Sequence, residues 1–137
     1  MKLIILPFFI SCLLFSACGT KAQENNYNKK AKQLNDSAIA MGLLGDTAKV
    51  MAAIQLLNEA TNIQPDYYLA YWNKLAFQCQ LGLMDDVFTT LKIMEQISPE
   101  NPDLKTRLGV FYERYKKDAI QAQVKYNEAE VLPNLNL

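Results

Sequence analysis

The sequence contains no histidine. That removes the commonest general base and the commonest metal ligand. It has no charge excess either, with 14 Lys+Arg against 14 Asp+Glu. An electrostatic nucleic-acid binder needs a basic surplus, so nucleic acid is not an expected partner. Glycine and proline are scarce, at 5 each in 137 residues. That excludes collagen-like and low-complexity chains. Gly-rich phosphate loops, nucleophile elbows, CxxC pairs and HExxH motifs are all missing. Cysteine is limited to Cys12, Cys18 and Cys79. What remains is a half-apolar composition, enough for one folded, non-catalytic domain that needs no cofactor or metal.

The apolar residues are unevenly spread. After Met1-Lys2 comes an apolar run from Leu3 to Phe15, closed by the small residues Ser16, Ala17 and Gly19 around Cys18. The run is shorter than the roughly 20 residues a membrane span requires, and Pro7 interrupts it. It has the form of a signal peptide. Leu14-Phe15-Ser16-Ala17-Cys18 resembles the lipobox of bacterial lipoproteins, with Phe15 where Leu is usual. The resemblance implies cleavage of residues 1–17, lipid on Cys18 and a membrane-anchored protein. Ordinary secretory cleavage after Thr20-Lys21-Ala22, and an uncleaved anchor, stay open as alternatives. Residues 18–26 are polar and read as a flexible tether. Once residues 1–17 are removed, Cys79 has no intramolecular partner other than the lipidated Cys18, so it reads as a small buried apolar residue.

From residue 27 onward the chain repeats. Pro65, Pro99 and Pro133 are spaced 34 and 34, and Ile63, Ile97 and Val131 precede them by two. Ile54, Phe88 and Ala122 form a further column. In others the third member is polar: Lys125 follows Leu57 and Leu91, and Gln121 follows Ala53 and Val87. Moving the third repeat by one residue aligns Ala122, Tyr126 and Ala129 with Ala53, Leu57 and Ala60. That predicts a one-residue insertion in its inner turn. Within each repeat the apolar spacing is three and four, which predicts helices. These cover Tyr27–Met41, Thr47–Ile63, Asp66–Leu81, Asp85 or Asp86 to about Ile97, Leu104–Tyr115 and Asp118–Leu132. Asp46, Asp66 and Asn101 are candidate N-caps, with Pro102 at a first helical position. Gly42, Gly45 and Gly82 are the stops. No segment alternates as a strand would.

A 34-residue helix–turn–helix period closing on Pro resembles the tetratricopeptide repeat. The best match is Tyr71-Trp72-Asn73-Lys74, Leu81-Gly82, Val87, Leu91 and Pro99; Leu108-Gly109 and Tyr112 continue it. The resemblance covers residues 27–137, as repeats at about 27–65, 66–99 and 100–137. It implies an all-α, right-handed α-solenoid of three helix hairpins. Such hairpins stack because one alone cannot bury its apolar face.

The resemblance also implies that first helices line a concave groove where peptides bind. That places Leu69, Trp72, Ala76 and Cys79 of repeat two on the groove, with Thr106, Val110 and Glu113 of repeat three. Trp is the residue most enriched at binding hot spots. Since Tyr71 and Trp72 are adjacent, one faces the groove and the other the core, and the sequence leaves open which. Some family members clamp a terminal carboxylate with Lys, Asn and Arg. Asn73 and Arg107 stand at compatible places, but Asp103 replaces a basic residue, so that specificity is not expected. Asp85-Asp86, the only adjacent acidic pair, fits a helix N-terminus rather than a catalytic site. Lys29, Lys30 and Lys32 read as a solvated helix face, with contact to lipid head groups near the tether as the alternative. The last helix carries many apolar residues for a terminal face. Leu135 and Leu137 folding back over it, or self-association into a homo-oligomer, are the two ways to cover it.

The expectation is therefore a lipid-anchored adaptor of the bacterial cell envelope, at the outer membrane and facing the periplasm. It binds a partner protein or peptide and touches the membrane through lipid on Cys18. The alternative is a lipoprotein that captures a small apolar or sugar ligand with Tyr67, Tyr68, Tyr71 and Trp72.

Overall fold

The computed structural model describes residues 27–43 and 45–132. The proposed leader 1–17, Cys18, the tether and the tail from Pro133 to Leu137 lie outside the described residues. Among those described there are six α-helices and no strand: α1 (Lys29–Gly42), α2 (Thr47–Ile63), α3 (Tyr68–Gln80), α4 (Met84–Ile97), α5 (Pro102–Phe111) and α6 (Ala119–Val131). A π-helical turn, Tyr112–Lys116, continues α5.

The helix starts follow from short polar side chains satisfying free backbone N–H groups. Asn28 caps α1, its side chain accepting from the Lys30 and Ala31 amides at 2.9 and 3.4 Å. Asp46 caps α2 by accepting from Ala48 at 2.8 Å. Asn101 accepts from Leu104 at 3.2 Å with Pro102 beside it, and Asp118 accepts from Gln121 at 3.0 Å. One expected cap is corrected: Tyr67, not Asp66, is the N-cap of α3, and no side chain caps that end. The Tyr67 ring is instead buried and stacked on Tyr27 at 4.1 Å. Apolar burial and ring stacking fix this entry instead of a hydrogen bond.

Contacts divide the chain into two compact units at Met84/Asp85. In the first unit, α1 packs on α2 and α3 packs on both. Its core is Ala31, Ala38, Val50, Ala53, Leu57, Ala60, Tyr67, Ala70 and Phe77. The five alanines have no exposed surface; their small side chains let the helices approach closely. Gly42 is the tightest point, since a Cβ there would lie 2.1 Å from the Phe77 ring. The buried Asn35 amide is satisfied by Asn73, whose Nδ2 donates to Asn35 Oδ1 at 2.8 Å and so ties α3 to α1.

In the second unit α5 packs on α6, and Val87, Leu91, Met94, Leu104, Leu108, Phe111 and Ala122 are buried. Phe88 of α4 stacks on Phe111 of α5 at 5.1 Å, and Phe111 stacks on Tyr115 at 4.9 Å.

The 34-residue period recurs in backbone hydrogen bonds. Gln64 N–H donates to Ala60 O at 3.0 Å, and Ser98 N–H to Met94 O at 2.9 Å. Tyr67 N–H donates to Gln64 O, as Asn101 N–H does to Ser98 O, at 3.1 and 3.3 Å. Tyr71 N–H donates to Tyr67 O, as Lys105 N–H does to Asn101 O, at 3.4 and 3.1 Å. The α2–α3 and α4–α5 connections are thus the same turn. A polar pair recurs with it. The Thr61 hydroxyl lies beside the Tyr71 phenol and donates to Leu57 O at 3.0 Å, and Glu95 and Lys105, each 34 further on, form an ion pair at 2.8 Å.

The expected extra residue lies after α5. At the end of α3, Gly82 is left-handed (φ 70) and Leu83 N–H donates to Gln78 O, five residues back, at 3.0 Å. At the end of the π turn, Lys117 is left-handed (φ 56) and Asp118 N–H donates to Tyr112 O, six back, at 3.0 Å. The wider π turn absorbs one residue. The left-handed positions Gly82 and Lys117 are accordingly 35 apart, and Ala122 is buried in line with Val87 and Ala53.

Candidate partner-binding surfaces

The two neighbouring aromatics of α3 differ in burial. Tyr71 is buried and Trp72 is half-buried. Burial pushes the Tyr71 phenol above its ordinary value, with the Thr61 hydroxyl acting against it. Trp72 meets the ring of Tyr68, one turn earlier, edge to face at 6.0 Å. Leu69 and Ala76 are exposed on the same stripe, Leu69 by 47 %. The stripe ends at Cys79, which is buried. Leu69, Trp72 and Ala76 thus contribute accessible surface along it, and Cys79 little. Of the four aromatics considered for a small ligand, Tyr67 and Tyr71 are in the core, and Tyr68 and Trp72 retain accessible surface.

The other three candidates lie in the second unit. Thr106 is exposed and its hydroxyl donates to Pro102 O at 3.0 Å. Val110 is half-buried, and Glu113 is exposed and accepts a hydrogen bond from the Tyr126 hydroxyl at 2.8 Å. Asn73 points its amide at Asn35, which withdraws it from any carboxylate clamp. Asp85 and Asp86 occupy the first turn of α4, where carboxylates meet the positive end of the helix. Asp85 also accepts from Lys116 at 3.3 Å, and the Lys116 ammonium sits 5.0 Å from the Phe88 ring centroid. Lys29 and Lys30 are exposed, and Lys32 pairs with Asp36 at 2.7 Å.

A charge cluster missed in the sequence lies among α4, α5 and α6. Lys105 Nζ contacts Glu95 Oε1 and Glu128 Oε2, both at 2.8 Å. Lys125 Nζ contacts the same two carboxylates at 2.8 and 2.9 Å, and Lys92 also pairs with Glu95. Burial alone would push the Glu95 carboxyl up. Hydrogen bonds from the Lys105, Lys125 and Lys92 ammonium groups more than offset that and hold it at about 2. The Glu128 carboxyl is likewise held low against burial, and both lysines are held high against theirs. One broken column signals the cluster: Lys105 stands where Tyr71 does. Beside it is an open depression of about 470 Å³ lined by Pro99, Lys105, Val124, Asn127, Glu128, Val131 and Leu132.

Among the described residues, no group of three or more His, Cys, Asp or Glu side chains could hold a metal ion. None of the described helices is long and apolar enough to cross a membrane. No family model matches the chain, and no curated protein matches it.

Proposed function

We propose that this protein is a lipid-anchored tetratricopeptide-like adaptor of a bacterial envelope, holding a partner protein or peptide on the exposed face of α3. In this reading the helices stack as three hairpins of a right-handed solenoid. Lipid on Cys18 anchors the chain, and the polar segment to residue 26 tethers it. The outer membrane, facing the periplasm, is its place. The repeated turn and the repeated polar pair, Thr61–Tyr71 and Glu95–Lys105, support the repeat reading. The observation that carries the binding reading is on α3. Tyr71 fills the core position, which leaves Leu69, Trp72 and Ala76 as an apolar surface stripe. An aromatic anchor flanked by small apolar groups is the composition of an interface centre.

Two experiments test the parts separately. Fatty-acid labelling in cells tests the anchor: label on the parent that is lost with Cys18→Ala supports it, and label retained by the variant refutes it. A photo-crosslinking residue at Ala76, with one at exposed Asn58 as the comparison, tests the face. A discrete adduct from Ala76 alone supports it; equal adducts, or none, count against it. Capture of a small ligand is the second reading, favoured by the Tyr68–Trp72 pair. A ligand-dependent shift of Trp72 fluorescence without any protein adduct selects it.

A further inference from the structure

Helix α6 is attached unlike the others. Ala122 is its one buried residue, whereas α2 buries Val50, Ala53, Leu57, Ala60 and Thr61. The ties of α6 to its neighbours are polar. Lys125 reaches Glu95 of α4, Glu128 reaches Lys105 of α5, and the Tyr126 hydroxyl donates to Glu113, each at 2.8 Å. Ile120, Val124 and Val131 of α6 are exposed by 77, 41 and 55 %, and the last two line the depression beside Lys105. The chain enters α6 through Lys117, a non-glycine residue in the left-handed region, directly after the π turn.

We propose that α6 is a releasable arm, latched to α4 and α5 by the Glu95–Lys105–Glu128–Lys125 ring and hinged at Lys117. The physical reason is the energetics of buried charge. Desolvation offsets most of the attraction within a buried ion pair. When α6 lifts, Glu95, Lys105, Lys125 and Glu128 return to water and regain their hydration. The apolar burial lost includes that of Ala122 and of the Tyr126 ring lying over Gly109. A helix held in this way belongs at the low end of local stability. Opening uncovers the Gly109 side of α5 and frees the Ile120, Val124, Val131 stripe on both flanks.

The test is native-state hydrogen exchange on the full-length lipoprotein in detergent, read by peptide. In the parent, amides of 119–131 exchange about tenfold or more faster than those of 47–63. Glu128→Gln removes one half of the latch at its more exposed end. It speeds exchange in 119–131 about tenfold further, with 29–80 unchanged. Replacing Glu95, Lys105, Lys125 and Glu128 together by Met slows exchange in 119–131, because an apolar contact gives back no hydration on opening. Three results overturn the proposal. They are a parent α6 as protected as α2, a Glu128→Gln variant with unchanged rates in 119–131, and a variant that loses protection equally in 29–80. The last would mean the ring supports the whole chain and not an arm.

Discussion

Replacing Glu95 by Gln should reshape the pH dependence of stability, and the direction follows from its surroundings. The Glu95 carboxyl is held at about 2 against an ordinary 4.5. A carboxyl depressed in the folded state stabilises the fold above its unfolded value. That contribution disappears as pH falls through the folded one. The difference corresponds to about 3 kcal/mol at neutral pH, an upper bound because the side chain keeps 12 % of its surface exposed. The parent should therefore lose stability between about pH 4.5 and pH 2, beyond the share Glu128 contributes. Glu95→Gln should be about 2–3 kcal/mol less stable at pH 7, since Lys105 and Lys125 stay buried with only Glu128 opposite. Its profile should be flatter across the acidic window. Urea denaturation at pH 7, 5, 4 and 3, followed by circular dichroism, measures both. Parallel pH profiles for parent and variant, offset or not, would refute the reasoning.

Other perturbations test the packing. Gly42→Ala places a Cβ 2.1 Å from the Phe77 ring and should destabilise by about 1–3 kcal/mol despite alanine's better helix propensity. Combining it with Phe77→Leu should recover part of that loss in a double-mutant cycle of urea midpoints. Lys117→Gly relieves a left-handed backbone at φ 56 and should stabilise by about 0.5–1 kcal/mol in the same assay. Leu57→Ala empties a fully buried site beneath α1 and α3 and should cost about 2–5 kcal/mol.

The helices are legible in the sequence because their signals are local. Apolar residues recur every three or four positions, and Asn or Asp stands at most of the starts. The one-residue offset is legible too, since Ala122 fits the Ala53 column only after a shift, and the π turn at Tyr112–Lys116 is its physical form. Two things are less so. Tyr71 and Trp72 are neighbours with equal claims, and only the packing of α3 on α1 and α2 decides between them. The ion ring needs Glu95, Lys105, Lys125 and Glu128 to converge from three helices. Once the third repeat is shifted by one, Lys125 leaves no mark on the columns, and its partner carboxylate on Glu95 is 30 residues away. The start of α3 misleads for a related reason. Asp66 is the better capping residue, but ring stacking of Tyr67 on Tyr27 fixes the chain one residue later.

The most direct test of the binding account is a crosslinked pull-down of the intact protein from its native envelope, beside a Trp72→Ala copy of equal abundance. Trp72 is half-buried at the surface and Tyr71 holds the core, so the variant should fold and keep its helical content. The account predicts one specific protein recovered with the parent and lost with the variant. The same protein recovered with both would contradict the α3 face as the binding site. No specific protein with either would contradict the adaptor reading itself.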